Sequence, residues 1–354
     1  MDTSLCGTCC PDPKTRVIKF AGFAALTAFV LMVVGFCNGI TLISFSSEAA
    51  FVPKNHRERF GLGVIYQTVE DDRLLKHLGA SWYLNWAAEP EIHTEVRFWP
   101  MLRVRQDGTY HPTGQVLKRA VEKSPGAVWI IGNEPDIAEQ DGAPPLALAI
   151  AFHDAREEIL RWDSTAQFAI GAVGMVSPLR LSYLDITLGI YRQRYGRDMP
   201  IDVWTIHQYI LPEQKNAWGI GIPTGLEADY GEMYVAKNHN AIRYFQQGIE
   251  AFRGWMAARG FRGKPLIVTE FGLLLPSFTA AETAAYLEKT VSYLLSAQDN
   301  NLGYPADKNY LVQGFAWFAL RDPLFETGTL VQLSTSRLTL AGQRWRELYN
   351  EADE

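Results

Sequence analysis

Short apolar runs recur along most of this chain, and helical patterns separate them. The runs are rich in β-branched and aromatic residues, and several are apolar at almost every position, which is typical of parallel strands covered on both faces. Eight runs are present: Phe60–Tyr66, Ala80–Trp86, Val96–Val104, Ala127–Gly132, Phe168–Val173, Asp202–Ile210, Pro265–Phe271 and Gly314–Leu320. Eight strand-then-helix units predict an α/β fold of the (β/α)8 barrel type, which usually needs about 250 residues.

Two of the intervening segments carry one apolar stripe each, as helices packed on a sheet do. The stripes are Leu148, Phe152, Ala155, Ile159 and Trp162 in the first segment, and Ile242, Phe245, Ile249, Phe252 and Met256 in the second. Thr279 followed by Glu282 forms a capping-box pattern and predicts a further helix start. The alternative, a doubly wound open sheet, favours a phosphate-binding glycine loop that this chain lacks. We therefore treat residues from about 55 to 354 as one barrel domain.

The stretch from residue 20 to residue 47 has no charged side chain. It is long enough to cross a bilayer core of roughly 30 Å as one helix. The sequence predicts a short cytoplasmic tail over residues 1–19 and a transmembrane anchor or uncleaved signal over residues 20–47. The first alternative is a signal cleaved near Ala49; a lipoprotein signal ending at Cys37 ranks below it, because Phe36 is bulky where a small residue is preferred.

Composition excludes several classes of protein. All four cysteines lie within the first 37 of 354 residues, so the main domain has neither a disulfide framework nor a cysteine-ligated metal. Cys6, Cys9 and Cys10 are not followed by further ligands at zinc-site spacing; acylation of such thiols is an alternative. The formal net charge of −6 gives no indication of a nucleic-acid partner. We expect neither a cofactor nor a metal.

The predicted strands end in polar residues. The fourth run leads into Asn133 and Glu134, the seventh reaches Glu270, and the sixth contains His207 and Tyr209. Active sites of this fold gather at the carboxyl ends of the strands. A carboxylate at the end of an apolar strand is costly to bury unless it has a partner, so two on different strands require a common explanation.

Cleavage of a glycosidic bond requires such a pair, one carboxyl group protonated and the other ionised. Gly-Asn-Glu-Pro at 132–135 and Thr-Glu-Phe-Gly at 269–272 resemble the paired signatures of clan A glycoside hydrolases, in order and spacing along the whole domain. The resemblance implies that Glu134 is the acid/base and Glu270 the nucleophile. It also implies that Asn133 hydrogen-bonds the sugar 2-hydroxyl. Neither motif alone is specific, because each occurs commonly in caps and turns.

His-x-Tyr at 207–209 also resembles the clan, in which these residues flank the nucleophile. Residues two apart on a strand share a face, so His207 and Tyr209 can both point into the cleft. A phenol that donates to Glu270 would keep that carboxylate ionised. By the same resemblance, Trp317 on the eighth strand would form the floor under the sugar. The remaining tryptophans of the strands are interpreted as packing residues: Trp82, Trp86, Trp99, Trp129 and Trp204.

The substrate is indicated by two weaker features. Trp-Tyr-Leu-Asn-Trp at 82–86 resembles the aromatic second strand of a clan branch that cuts β-1,3-glucans, which favours a β-glucan. Residues 211–237 are long for a barrel loop and carry Trp218, Tyr230 and Tyr234, as a sugar-stacking cleft wall would.

The sequence thus predicts a retaining glycoside hydrolase that acts on a β-linked polysaccharide or oligosaccharide by double displacement. The alternatives are a transglycosylase on the same scaffold and a catalytically inactive polysaccharide-binding barrel. We expect a monomeric catalytic domain with a carbohydrate as substrate. We also expect it to be anchored in a membrane and to face outside the cytoplasm, where polysaccharide is found; after signal cleavage it would instead be secreted.

Overall fold

The computed structural model describes residues 51–65, 68–91 and 94–352. They belong to one compact unit, Ser47–Glu354. Among the helices of the described residues, none combines the length and apolar character that crossing a membrane requires. The predicted tail (1–19) and anchor (20–47) lie outside these residues.

Eight parallel strands form the barrel, and we number them β1 to β8. Their bounds are β1 Phe60–Gly63, β2 Trp82–Leu84, β3 in two parts (Arg97–Phe98 and Met101–Val104), β4 Val128–Ile131, β5 Gln167–Ile170, β6 Trp204–His207, β7 Leu266–Phe271 and β8 Gly314–Trp317. Every predicted apolar run overlaps one strand, which confirms the expected barrel strands.

Hydrogen bonding closes the sheet into a ring. Neighbouring strands pair in parallel from β1 to β5 and from β6 to β8, and β8 pairs with β1. Parallel bridges from Ala169 to Val203 and from Val173 to Ile206 join β5 to β6. A two-residue strand, Tyr110–His111, pairs antiparallel with β3 outside this ring. The carboxyl ends of all eight strands therefore meet at one end of the barrel.

Seven α-helices follow the strands in the described residues. Their bounds are α1 Val69–His77, α2 Gly114–Lys123, α3 Pro145–Leu160, α4 Pro178–Tyr195, α5 Ile242–Ala258, α6 Ala280–Ser296 and α7 Leu340–Glu351. Four short 3₁₀ helices span Arg57–Arg59, Ala236–Asn238, Pro305–Asp307 and Glu326–Gly328. The expectation of eight complete strand–helix units is wrong between β2 and β3. The described residues there form no helix, since the segment is short and is interrupted by Pro90.

The predicted helix signals agree with the structure. The stripe of α3 is buried at Leu148, Phe152, Ala155 and Ile159, and that of α5 at Phe245, Ile249, Phe252 and Met256. Thr279 caps α6: its hydroxyl accepts from the Glu282 amide at 3.3 Å, and the Glu282 carboxylate accepts from the Thr279 amide at 2.8 Å. The buried stripes pack α3 and α5 against the barrel, and the capping box fixes the start of α6.

The barrel interior is packed with apolar side chains. Trp82 and Trp99 pack against each other there, with 4.8 Å between ring centroids. β1 contributes a glycine here, because a Cβ on Gly61 would lie 2.3 Å from the Trp82 ring. The interpretation of Trp82, Trp99, Trp129 and Trp204 as packing residues is confirmed, since all four are fully buried. A filled interior leaves the strand ends as the place for polar chemistry.

Candidate active site

Glu134 lies in the turn that leaves β4. Gly132 has φ 100° and Glu134 has φ 44°, so the backbone turns sharply after the strand. The turn is fixed by Asp141, whose Oδ2 accepts the Asn133 amide at 2.7 Å, and by a bond from the Ile137 amide to the Glu134 carbonyl at 3.0 Å. This geometry holds the Glu134 side chain at the carboxyl end of the barrel, where it is 8% exposed.

Glu270 and His207 come from two adjacent strands. His207 ends β6 and is paired with Glu270 of β7, after a shift of register between Ile206 and His207. Both side chains are buried. Tyr209 follows two residues after His207 and lies beside Glu270, as the two-residue periodicity of a strand predicts.

His207 bridges the two glutamates. Its Nδ1 lies 2.8 Å from Glu134 Oε1, and its Nε2 lies 3.2 Å from Glu270 Oε1. The ligand-type atoms of the three side chains all lie within 4.8 Å of one another. Such a set could in principle hold a metal ion. In the structure, His207 Nδ1 is hydrogen-bonded to Glu134, whereas Nε2 lies close to Glu270 without hydrogen-bond geometry.

Two further donors reach Glu270. The Tyr209 hydroxyl donates to Oε2 at 3.0 Å, and the Trp86 indole N–H donates to Oε1 at 2.6 Å. The Tyr209 contact is the one expected from the sequence. Trp86 was interpreted as a packing residue and is instead a site residue. Its φ of 57° turns it away from the strand pattern, and the only signal in the sequence is its place in the aromatic motif after β2.

Burial and opposing charges set the protonation of this cluster. Burial raises the pKa of Glu270 to about 7, with the negative charge of Glu134 adding to the rise and His207, Trp86 and Tyr209 opposing it. Burial disfavours charged His207, yet the two carboxylates outweigh this effect and raise its pKa. Tyr209, the donor expected to keep Glu270 ionised, is therefore in place, but burial holds the pKa of Glu270 above the usual carboxyl range.

A cleft of about 570 Å³ opens above these groups. It is lined by Glu134, Tyr209 and Glu270, and by aromatic, apolar and polar side chains that include Trp86, Arg103, Gln140, Leu211, Trp218, Ile220, Phe318 and Phe325. Arg103 is held by Asp141, with 2.5 Å between Nε and Oδ1. Trp218 is 55% exposed. Aromatic faces beside paired carboxylates are suited to a sugar chain.

Asn133 lines the same cleft. Its Nδ2 lies 3.4 Å from Gln140 Oε1, and its buried Oδ1 has no hydrogen-bond partner among the described residues. The structure thus places Asn133 next to Glu134, where a sugar hydroxyl could satisfy this oxygen.

Trp317 does not reach the cleft, so its expected place at the floor needs correction. It is fully buried on the outer side of β8, 5.2 Å from Phe271 between ring centroids, and its indole donates to the Gly328 carbonyl at 2.6 Å. The next residue, Phe318, lines the cleft instead and lies 5.5 Å from the Trp86 ring. Adjacent strand residues point to opposite faces, so an error of one position moves the side chain out of the site.

Comparison with solved structures finds β-1,3-glucanases of glycoside hydrolase family 128 among the similar chains. An endo-β-1,3-glucanase of glycoside hydrolase family 128, subgroup II, from Sorangium cellulosum matches 82% of this chain and 98% of its own, with 18% identity and a TM-score of 0.57. A subgroup I endo-β-1,3-glucanase from Amycolatopsis mediterranei, in complex with laminaritriose, matches 82% and 99% with 18% identity and a TM-score of 0.55. A subgroup III curdlan-specific exo-β-1,3-glucanase from Blastomyces gilchristii, in complex with glucose, matches 82% and 99% with 19% identity and a TM-score of 0.53.

No protein-family model and no curated protein matches the chain. At this level of identity the structural matches establish the fold. The resemblance to clan A barrels, and to the branch that includes β-1,3-glucanases, is thereby confirmed for the architecture.

Proposed function

We propose that this chain is a retaining glycoside hydrolase that cleaves β-1,3-glucan. The observation that carries the proposal is the pair Glu134 and Glu270. These two buried carboxyl groups, one in the turn after β4 and one on β7, each have an oxygen within 4.8 Å of the other group and lie at the floor of an aromatic cleft. Carboxyl groups about 5 Å apart favour retention, whereas inverting enzymes need roughly 6.5–9.5 Å to admit a water.

In the first step, Glu134 protonates the glycosidic oxygen as the bond from that oxygen to the anomeric carbon breaks. Glu270 attacks the anomeric carbon from the other face and forms a glycosyl ester. The leaving chain departs as an alcohol. Tyr209 and Trp86, which donate to the two oxygens of Glu270, hold the carboxylate in place for this attack.

In the second step, water enters on the face that the leaving group vacated. Formation of the ester removes the negative charge of Glu270, which favours ionised Glu134, so Glu134 accepts a proton from the water. The resulting hydroxyl displaces Glu270, and the sugar leaves with its original anomeric configuration. His207 contacts both carboxyl groups, and their negative charges raise its pKa.

The choice of β-1,3-glucan is supported by the structural neighbours, which are described as β-1,3-glucanases, some in complex with laminari-oligosaccharides. It also agrees with the aromatic motif that contributes Trp86. The exposed Trp218 and the half-buried Phe318 line the same cleft as the carboxylates and provide aromatic faces for further sugar units.

The test is an assay of the purified protein on laminarin, curdlan, mixed-linkage β-glucan, xylan, mannan and galactan. We expect laminari-oligosaccharides from the β-1,3-linked substrates, and NMR should show the β-anomer as the first product. Glu227→Gln, at an exposed position, is the matched control for Glu134→Gln and Glu270→Gln, which should both be inactive. An α-anomer first product would exclude retention. Chain-lengthened products would indicate a transglycosylase, and binding without any product would indicate an inactive barrel.

We further propose that the domain is held at a membrane and faces outside the cytoplasm. This rests on the uncharged stretch at residues 20–47 and on where polysaccharide is found. Secretion after cleavage of that stretch remains the alternative that fractionation distinguishes.

A further inference from the structure

Arg180, in the first turn of α4, is fully buried and contacts three separate parts of the chain. Its Nε lies 2.6 Å from Asp136 Oδ2, in the turn after β4. Its Nη1 contacts the carboxylate of Glu213. Its Nη2 donates to the carbonyls of Ile220 and Gly221, at 3.1 and 3.3 Å. One guanidinium thus joins the strand end that carries the acid/base candidate to the long segment 211–237.

Segment 211–237 contains little regular structure, with one isolated bridge from Gln214 to Tyr230 and a 3₁₀ turn at its end. We call residues 211–221 the cleft wall, because several of them line the cleft and Trp218 presents its ring there. Such a wall needs tertiary contacts to keep one conformation.

Glu213 is the anchor of this wall. Its Oε1 accepts from the Ser177 hydroxyl at 2.6 Å as well as from Arg180, and its Oε2 accepts from the Glu232 amide at 2.7 Å. One buried carboxylate therefore ties the start of the segment to the start of α4 and to Glu232, later in the same segment. A carboxylate in this position depends on Arg180, since an unpaired buried charge is strongly destabilising.

Asp136 is the second carboxylate partner of Arg180. It lies two residues after Glu134, accepts the Gly174 amide at 3.3 Å through Oδ1, and accepts the Thr224 amide at 2.8 Å through its carbonyl. Burial raises the pKa of Asp136 to about 6, and the positive charge of Arg180 opposes the rise. The contacts of Asp136 thus join the acid/base turn to the middle of the same segment, at Thr224.

We infer that Arg180 is a positioning residue that fixes the cleft wall, and with it Trp218, relative to Glu134. The inference rests on the proposed function, because it assigns the wall a role in binding sugar units beyond the bond that is cut. Arg180 and Glu213 act on substrate only through the wall. Their loss should therefore weaken binding of long oligosaccharides more than it slows the bond cleavage itself.

The test compares Glu213→Gln with Glu227→Gln, an acid-to-amide change at an exposed position of the same segment. On long laminari-oligosaccharides, Glu213→Gln should raise KM about tenfold and lower kcat by less than about threefold, because it removes charge-assisted bonds from the wall. Glu227→Gln should match the wild type. Arg180→Lys retains the charge but not the forked geometry, and should reproduce the Glu213→Gln effect.

A double-mutant cycle separates positioning from general stability. If Glu213 acts through Trp218, the KM effects of Glu213→Gln and Trp218→Ala should not add. Additive effects, or kcat and KM changes that follow the folded fraction in a thermal melt, would show that the network is merely structural and would overturn the inference.

Hydrogen exchange tests the same inference without any activity. Peptides covering residues 212–232 should exchange faster in Glu213→Gln than in Glu227→Gln or the wild type, and equal exchange would refute the inference. Absence of β-1,3-glucan hydrolysis by the wild type would instead refute the proposed function. The two failures are therefore distinguishable.

Discussion

Tyr209→Phe tests the electrostatics of the site, because it removes one donor and leaves the ring in place. The Tyr209 hydroxyl donates to Glu270 Oε2 at 3.0 Å and stabilises the ionised carboxylate, so its loss must raise the pKa of Glu270 further above about 7. A hydrogen bond to a charged group is worth about 1.5–3 kcal/mol, and one pKa unit corresponds to about 1.4 kcal/mol. Trp86 still donates to Oε1 at 2.6 Å. We therefore expect the pKa of Glu270 to rise by about one unit, which corresponds to the lower end of that energy range.

The measurement is the pH profile of kcat/KM on a laminari-oligosaccharide. The nucleophile must be ionised, so the acid limb should move to higher pH in Tyr209→Phe. At pH values below that limb, kcat/KM of the variant should be about tenfold lower than that of the wild type. At higher pH the two values of kcat/KM should become equal.

Tyr349→Phe is the matched control, because Tyr349 lies on α7 against Phe60, outside the site. It should leave the profile unchanged. An unshifted acid limb in Tyr209→Phe, or an equal loss at every pH, would refute the electrostatic role and leave Tyr209 as a packing residue.

Three further predictions concern the reaction, the strand-eight aromatics and the location. Glu270→Ala should be inactive and should form the inverted glycosyl azide when azide is added, whereas Glu134→Ala should form the retained azide from a substrate with a good leaving group; NMR of the products decides. Trp317→Ala should lower stability by about 3–5 kcal/mol in a denaturant melt. Phe318→Ala should mainly lower kcat/KM. A loss of kcat/KM in Trp317→Ala together with a loss of stability in Phe318→Ala would instead make Trp317 the cleft residue and Phe318 the packing residue. The protein should fractionate with membranes through residues 20–47 and be open to external protease; a freely released form beginning near residue 50 would contradict the anchor.

The strands of the barrel were predictable because their environment leaves a local signal. A parallel strand covered on both faces is apolar along its length, and each such run overlaps one observed strand. The connection from β2 to β3 was mispredicted because barrel symmetry, rather than any helical stripe in residues 85–96, suggested a helix there. The alternation of strand and helix elsewhere in the barrel does not predict a helix in a segment that has no helical periodicity of its own.

The catalytic candidates were predictable for a different reason. Glu134, Glu270, His207 and Tyr209 are polar groups at the ends of apolar strands, and parallel strand ends meet at one edge. The same reasoning could not identify which residue of β8 faces the cleft. The run Gly314–Leu320 is apolar on both faces, so the sequence does not reveal whether Trp317 or its neighbour points inward. The pairing of β8 with β7 also shifts register between Phe315 and Trp317, which removes any simple count along the strand.

The sequence gives almost no signal for the ion-pair network that supports the cleft wall. Arg180, Asp136 and Glu213 lie far apart along the chain, and each alone would be assigned to the surface, since arginine and acidic residues are rarely buried without partners. Only the closed barrel brings α4, the β4 turn and segment 211–237 together, and only then do the three charges satisfy one another. Their burial explains how a connection of 27 residues with little regular structure can form one wall of a cleft. The carbonyls of Ile220 and Gly221 and the carboxylate of Glu213 are bound to Arg180 of α4. Because α4 is packed on the barrel, these contacts fix the cleft wall to a rigid element.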